Sequence, residues 1–266
     1  MSDHIRTDRR GHVLTIEVDR QDKRNALSFD MIRALNAAYT ELSDDPELRC
    51  GVVHAAGPHF TGGLDLMDVG PRLADVDSVE GLREVLLDGD QVDPFGIVGR
   101  PCEKPVIVAV QGRCFTWGIE LSLAAELCIA AKDTVFQQNE VSRGIFPFGG
   151  ATMRMPARFG WGNAMRYLLT GDPFDAPEAH RLGLVQEVVD TGQQLPRALE
   201  LAEKISKQAP LGIDVVLKTA RATIHQGETA AVAIAATAMP RVLSSEDARE
   251  GMMSLMEKRE ARFVGK

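Results

Sequence analysis

Residues 111–126 read QGRCFTWGIELSLAAE, and some fifty residues earlier positions 59–67 read HFTGGLDLM. In each stretch an apolar run breaks at glycine and resumes with helical spacing, the pattern of a strand turning into a helix. Such a turn presents backbone N–H groups that lack intrahelical partners, together with the positive end of the helix dipole. Either turn alone has a steric explanation, because glycine suits tight connections. Two of them, with Glu120 in the first turn of one helix and Glu140 shortly beyond, make a candidate site for an oxygen that gains negative charge.

Working outward, HVLTIEV at 12–18 alternates as a strand does, with Leu14, Ile16 and Val18 on one face. A helix is predicted from Ser28, its capping residue, through Met31, Leu35, Ala38 and Leu42 to the stop at SDDPE. CGVVHAA at 50–56 and KPVIVAV at 104–110 read as strands, the second buried on both faces. Between them, 67–100 is polar and irregular with one short helix near Val79–Leu87, and a long excursion of this kind often covers a binding site. Helical spacing is predicted over 118–128, DTVFQQ is a further strand, and FPFGG at 146–150 is a turn-rich loop. Beyond 150 the pattern is helical, at 161–169 and 175–182, with a short strand LVQEVVD at 184–190. Three helical stretches follow near 197–207, 211–225 and 228–259, the last interrupted by Pro240. Their apolar residues exceed what a solvent-facing layer needs, which implies packing on the core or on another subunit.

With 266 residues and 44% hydrophobic content the chain can bury a large core. A net charge of −8 opposes broad attraction to nucleic acid or anionic membranes, so no nucleic-acid or membrane partner is expected and any anionic ligand must be held by local features. The four cysteines show no paired spacing and no histidine at zinc-ligand distance, so free buried thiols, a reducing cytoplasmic setting and no metal are expected. No targeting segment precedes the first strand pattern, and no apolar run approaches a membrane span. GxSxG, P-loop and GxGxxG patterns are missing, which removes the mechanical parts of serine hydrolases, nucleotide triphosphatases and dinucleotide oxidoreductases. His54 and His59 flank the first turn without metal spacing and read as structural or exposed.

Taken in order, NAL at 25–27, FTGGLDL, KPVIVAVQG with GIELSLAAELCIA, NEVSRGIFPFGGATMRMP and LTGDPFDAPEAHRLGLVQEVV resemble the enoyl-CoA hydratase/isomerase, or crotonase, superfamily over roughly residues 10–195. The resemblance implies an α/β fold: a spiral of repeated β-β-α units over residues 1–196, of the kind shared by ClpP and crotonase, and a helical trimerisation region over 197–266. A homotrimer or a hexamer of two trimers is implied with it. The implied chemistry is on an acyl thioester of coenzyme A, with the coenzyme part of the substrate and no permanently bound cofactor. The thioester oxygen would accept the N–H groups of Leu64 and Trp117; an enolate gains more from such donors than the neutral carbonyl does, and losing one typically costs about 2.7–4 kcal/mol of barrier stabilisation. Glu120 and Glu140 match the two glutamates of the family's hydratases, the first activating water for attack at C3 and the second delivering a proton to C2. Isomerases of the family rely on the second glutamate, so keeping both implies an enoyl-CoA hydratase, a lyase of the fatty-acid type. An isomerase, hydrolase or carbon–carbon lyase, or a feebly active acyl-CoA-binding member, stays open.

By the same resemblance Arg24, Ala26, Gly62, Asp65 and Leu66 line the coenzyme's path, with Lys23, Lys258, Arg259 and Arg262 as further phosphate candidates. The chain departs from the family at Thr116 and Trp117, where glycines are usual, at Phe148, also usually glycine, and at Asn139, often proline. The Trp117 indole either narrows the acyl pocket or packs into the core.

Overall fold

The computed structural model describes residues 2–266; Met1 lies outside the described residues. In chain order the elements are β1 (Ile5–Arg10), β2 (Val13–Val18), α1 (Phe29–Asp44), β3 (Cys50–Ala55), α2 (Leu66–Leu73), α3 (Val79–Leu86), β4 (Val106–Val110), β5 (Arg113–Phe115) and α4 (Trp117–Ala124). They continue with β6 (Leu127–Ala131), β7 (Val135–Gln137), α5 (Ala151–Phe159), α6 (Trp161–Thr170), β8 (Phe174–Asp175), α7 (Ala176–Arg181), β9 (Glu187–Val189), α8 (Gln194–Ser206), α9 (Pro210–Gln226), α10 (Glu228–Leu243) and α11 (Glu246–Glu257).

The strands form a six-stranded sheet in the order β1-β2-β3-β4-β6-β9 and a three-stranded sheet in the order β5-β7-β8. Successive turns of chain visit both. β4 lies in the large sheet, β5 in the small one, and α4 follows; β6 and β7 repeat the step before α5 and α6. One turn earlier, β3 leads to Thr61, which bridges Cys114 of β5, and then to α2. This is the spiral of β-β-α units.

Alternation along the strands decides the layers. Val13, Val52, Ile107 and Ala109 face α8 through its Ala198 and Ala202, whereas Leu14, Ile16, Val53 and Val108 face the main core with α1 and α4. β4 is buried at every position, as an apolar run in a parallel centre requires. α4 is also apolar nearly all round and is buried from Trp117 through Leu123, so it is a helix of the interior and not of the surface. The expected division at 196/197 falls inside α8, which covers the large sheet; α9 and α10 pack on each other beyond it. A cleft of about 500 Å³ between those two helices is lined by Leu211, Val215, Ala233 and Ile234.

Several sequence expectations are corrected. The helix expected over 118–128 ends at Ala124, and Cys128 belongs to β6. The helix does not break at Pro240: α10 runs to Leu243, one turn further, and the stop comes at Ser244, after which Ser245 caps α11 by accepting from Ala248 N–H. A proline there loses one intrahelical bond near a frayed end instead of breaking an interior. All four cysteines are free and buried, and no helix among the described residues is long and apolar enough to cross a membrane.

Candidate active site

The loop before α1 and the turn after β3 are joined by a short ladder. Gly62 N–H donates to Arg24 O at 2.7 Å, Leu27 N–H to Gly63 O at 2.9 Å, and Asp65 N–H to Leu27 O at 3.0 Å. The Asn25 side chain locks the loop beneath, donating to the carbonyls of Ala56 and His59 and accepting from Arg20 N–H. The five residues expected along the coenzyme path, Arg24, Ala26, Gly62, Asp65 and Leu66, are thereby brought to one neighbourhood. The Asp65 carboxylate is engaged by Arg20 at 2.9 Å, and the same guanidinium reaches Ala26 O at 3.0 Å. Arg24 and Leu66 are exposed. Arg259, by contrast, is held by Glu250 and Glu257, which makes it a poor phosphate cation.

In this ladder the peptide oxygen of Gly63 and the N–H of Asp65 point toward the loop. The Leu64 N–H therefore points to the opposite side, and it meets no acceptor among the described residues. The second turn runs beside the first: Phe60 N–H donates to Gln111 O, Thr61 N–H to Arg113 O and Phe115 N–H to Thr61 O. Trp117, the first residue of α4, likewise has no acceptor for its N–H, as expected of a helix N-terminus. At the closest approach Gly63 faces Thr116, where a Cβ at 63 would lie 2.8 Å from Thr116 Oγ1. With φ of 113° as well, only glycine serves at 63.

The Trp117 indole settles its open alternative. It is 1% exposed, packs against Phe60 with ring centroids 5.5 Å apart, and donates from Nε1 to Gly63 O at 2.9 Å. Its side chain belongs to the core. Thr116, just before it, sits at φ 48°, ψ −108°, a region that a β-branched residue occupies only under strain. The Thr116 hydroxyl is buried without a partner among the described residues.

Glu120 and Glu140 are 3% and 5% exposed. Glu120 Oε1 accepts Gly149 N–H at 2.8 Å and Ala151 N–H at 3.2 Å, so the N-terminus of α5 is capped by a carboxylate reaching from α4. Arg154, one turn along α5, adds a positive charge that lowers the Glu120 pKa, yet burial prevails and pushes it up to about 7. Glu140 opens a single 3₁₀ turn and accepts from Gln138 Nε2 at 2.9 Å; its Oε2 is buried without a partner among the described residues. Burial first, then the charge of Glu120, raise its pKa to about 7. Two neighbouring carboxyls that resist joint ionisation share a proton near neutrality. Two N–H donors and a guanidinium favour the anion at Glu120, and the Gln138 amide favours it at Glu140, so burial raises both against hydrogen bonds that oppose it.

Sequence reasoning missed the holders of these groups. Gln138, Gly149, Ala151 and Arg154 carry no local signal, since each acts on a residue that the fold brings to it. The FPFGG loop and the helix after it were the available clue, and Pro156 inside α5 obscures that helix. Asp93, 6% exposed, ties the end of the long excursion by accepting from the N–H groups of Phe95, Ile97 and Val98, and Arg154 reaches Gly96 O beside it. Phe148 is half-buried against Phe146 next to the glycines. Among the described residues no group of three or more His, Cys, Asp or Glu side chains is placed to hold a metal.

Residues 8–266 match the family described as enoyl-CoA hydratase/isomerase. The chain is similar to the enoyl-CoA hydratase EchA19 of Mycobacterium tuberculosis, 32% identical over 256 residues, covering 96% of this chain and 94% of that one. It is similar to the crotonyl-CoA hydratase of Syntrophomonas wolfei, 32% identical over 250 residues, covering 94% and 93%. Among solved structures it resembles a probable enoyl-CoA hydratase/isomerase from Mycobacterium abscessus, with a TM-score of 0.93, 41% identity and 99% of each chain covered.

Proposed function

The chain belongs to the enoyl-CoA hydratase/isomerase family, and from that premise we propose that it is an enoyl-CoA hydratase, adding water across the 2,3-double bond of an enoyl-CoA thioester. The thioester oxygen accepts from the N–H groups of Leu64 and Trp117. Glu120, as carboxylate, takes a proton from water whose oxygen bonds to C3. The π electrons move onto the thioester oxygen as an enolate, and Glu140 gives its proton to C2 as the carbonyl re-forms. Glu120 is left protonated and Glu140 ionised, so one proton passes between them before the next turnover. The observation that carries this reading is the holding of the two buried glutamates: one is tied by two backbone donors, and the other keeps a buried oxygen without a partner among the described residues. An isomerase needs one proton carrier, and a Glu120 fixed by two donors beside Glu140 favours the reaction that uses both.

Arg24, the second lone pair of Ala26 O, and the backbone along Gly62, Asp65 and Leu66 hold the coenzyme portion; the ladder that aligns them supports this. Asp65 contributes through its main chain, because Arg20 occupies its carboxylate. The tail is read as the subunit-joining surface of a homotrimer or hexamer, supported by the exposure of Val216, Ile224, Val232, Met239, Leu243 and Met252. The four free thiols suit the cytoplasm.

The test uses crotonyl-CoA in ¹⁸O-labelled water, with products read by mass spectrometry. Labelled 3-hydroxybutyryl-CoA is expected from the wild type, and each of Glu120→Gln and Glu140→Gln should lower kcat by about 10²–10⁴-fold, as for a positioned acid or base. Migration of a 3,4-double bond that survives Glu120→Gln, without label uptake by crotonyl-CoA, overturns the hydratase in favour of an isomerase. Coenzyme thioester binding with no turnover of either substrate overturns both.

A further inference from the structure

We infer that the Trp117 indole is a positioning residue that sets the direction of both oxyanion donors, an inference that rests on the reading of Leu64 and Trp117 as those donors. The peptide joining Gly63 to Leu64 is planar and trans, so whatever fixes its oxygen fixes its N–H in the opposite direction. That oxygen accepts two bonds at 2.9 Å, one from Leu27 N–H and one from Trp117 Nε1–H, and a longer one at 3.4 Å from the Thr61 hydroxyl. The indole bond adds to those of Leu27 and Thr61 at a Gly62–Gly63 turn whose residues lack the steric limits a Cβ imposes.

The donor that pins the first peptide is carried by the residue whose own N–H is the second donor. The ring cannot swing: it is buried against Phe60, and its single polar atom has its partner. A hydrogen bond at a peptide oxygen also polarises that peptide, making the Leu64 N–H the better donor to a charged oxygen. A leucine or phenylalanine would keep the backbone N–H at 117, but neither fills the indole's volume or carries its proton.

The test replaces Trp117 with benzothienylalanine, which keeps the two fused rings and substitutes sulfur for the N–H, alongside Trp117→Phe and a 5-fluorotryptophan control that retains the N–H. Crotonyl-CoA hydration gives kcat and KM, and isotope-edited infrared spectra of bound butyryl-CoA, ¹³C-labelled at the thioester carbon, report how strongly its carbonyl is polarised. Benzothienylalanine should lower kcat by about 3–10-fold, the share of one ordinary buried hydrogen bond, with KM unchanged. Its carbonyl band should move back toward that of free thioester, and 5-fluorotryptophan should restore both readings. A band shifted equally in wild type and benzothienyl variant, with equal kcat, overturns the positioning role while leaving the two donors standing. A wild-type band identical to free thioester overturns the donors themselves.

Discussion

Gly149 offers the sharpest test of how the Glu120 carboxylate is held. A Cβ added there would lie 2.4 Å from Glu120 Oε2 and 2.8 Å from its Cδ, whereas ordinary contact begins near 3.4 Å. In Gly149→Ala the carboxylate must withdraw by about 1 Å, and misplacement on that scale can lower turnover on the order of 10²-fold. Withdrawal also lengthens the bonds from Gly149 N–H and Ala151 N–H that favour the anion. The fold should survive, because the obstructed atoms end a side chain that can turn; crowding should cost about 1–2 kcal/mol, the lower part of the overpacking range. Crotonyl-CoA hydration, followed by loss of the conjugated thioester absorbance, should show kcat reduced about 100-fold while KM stays near wild type. Gly162→Ala supplies the control. Nothing stands within 4 Å of a Cβ there, the position is helical, and the change should leave kcat alone while adding up to about 1 kcal/mol of stability. A folded Gly149→Ala enzyme with wild-type kcat would refute the idea that Glu120 works from this fixed position.

Both glutamates titrate near pH 7 in the folded chain against an ordinary value of 4.5, so between those values the folded state binds more protons than the unfolded one. Stability should therefore fall as pH rises through this window, by up to about 1.4 kcal/mol per pH unit per group, and urea unfolding of Glu120→Gln/Glu140→Gln should lose most of that slope. Thr116→Gly should raise stability by about 1 kcal/mol in thermal unfolding, since glycine accepts φ of 48° without strain. Gly63→Ala should cost about 2 kcal/mol through its φ of 113° and its contact with Thr116 Oγ1. In a double-mutant cycle with Thr116→Gly, part of that loss should be recovered, because the two sites share the contact.

The elements that could be read from the chain are those whose signal is local. Glycines mark the turns at 62–63 and 118, the apolar run marks β4, and Ser28 marks the start of α1 by accepting Met31 N–H. β1 escaped because IRTDRR is a charged edge strand whose pairing with β2 leaves its side chains in water. α5 escaped because Pro156 and two arginines interrupt its apolar spacing, and with it went the donors that orient Glu120. The glutamates were legible as residue types on a glycine-marked turn and beside a strand. The way each is held was not, because it depends on Gly149, Ala151 and Arg154 for one and on Gln138 for the other.

Trp117 shows why a departure from a family pattern is hard to interpret from sequence. A bulky residue replacing glycine beside a reacting centre suggests a smaller pocket only if its side chain shares the direction of the backbone N–H. Here the two diverge: the N–H heads the helix, while the ring turns under the first turn to reach the oxygen of Gly63. With Leu64 and Trp117 as the proposed donors, substitution at 117 acts on how firmly those donors are held, because the indole is buried and bonded to Gly63 O.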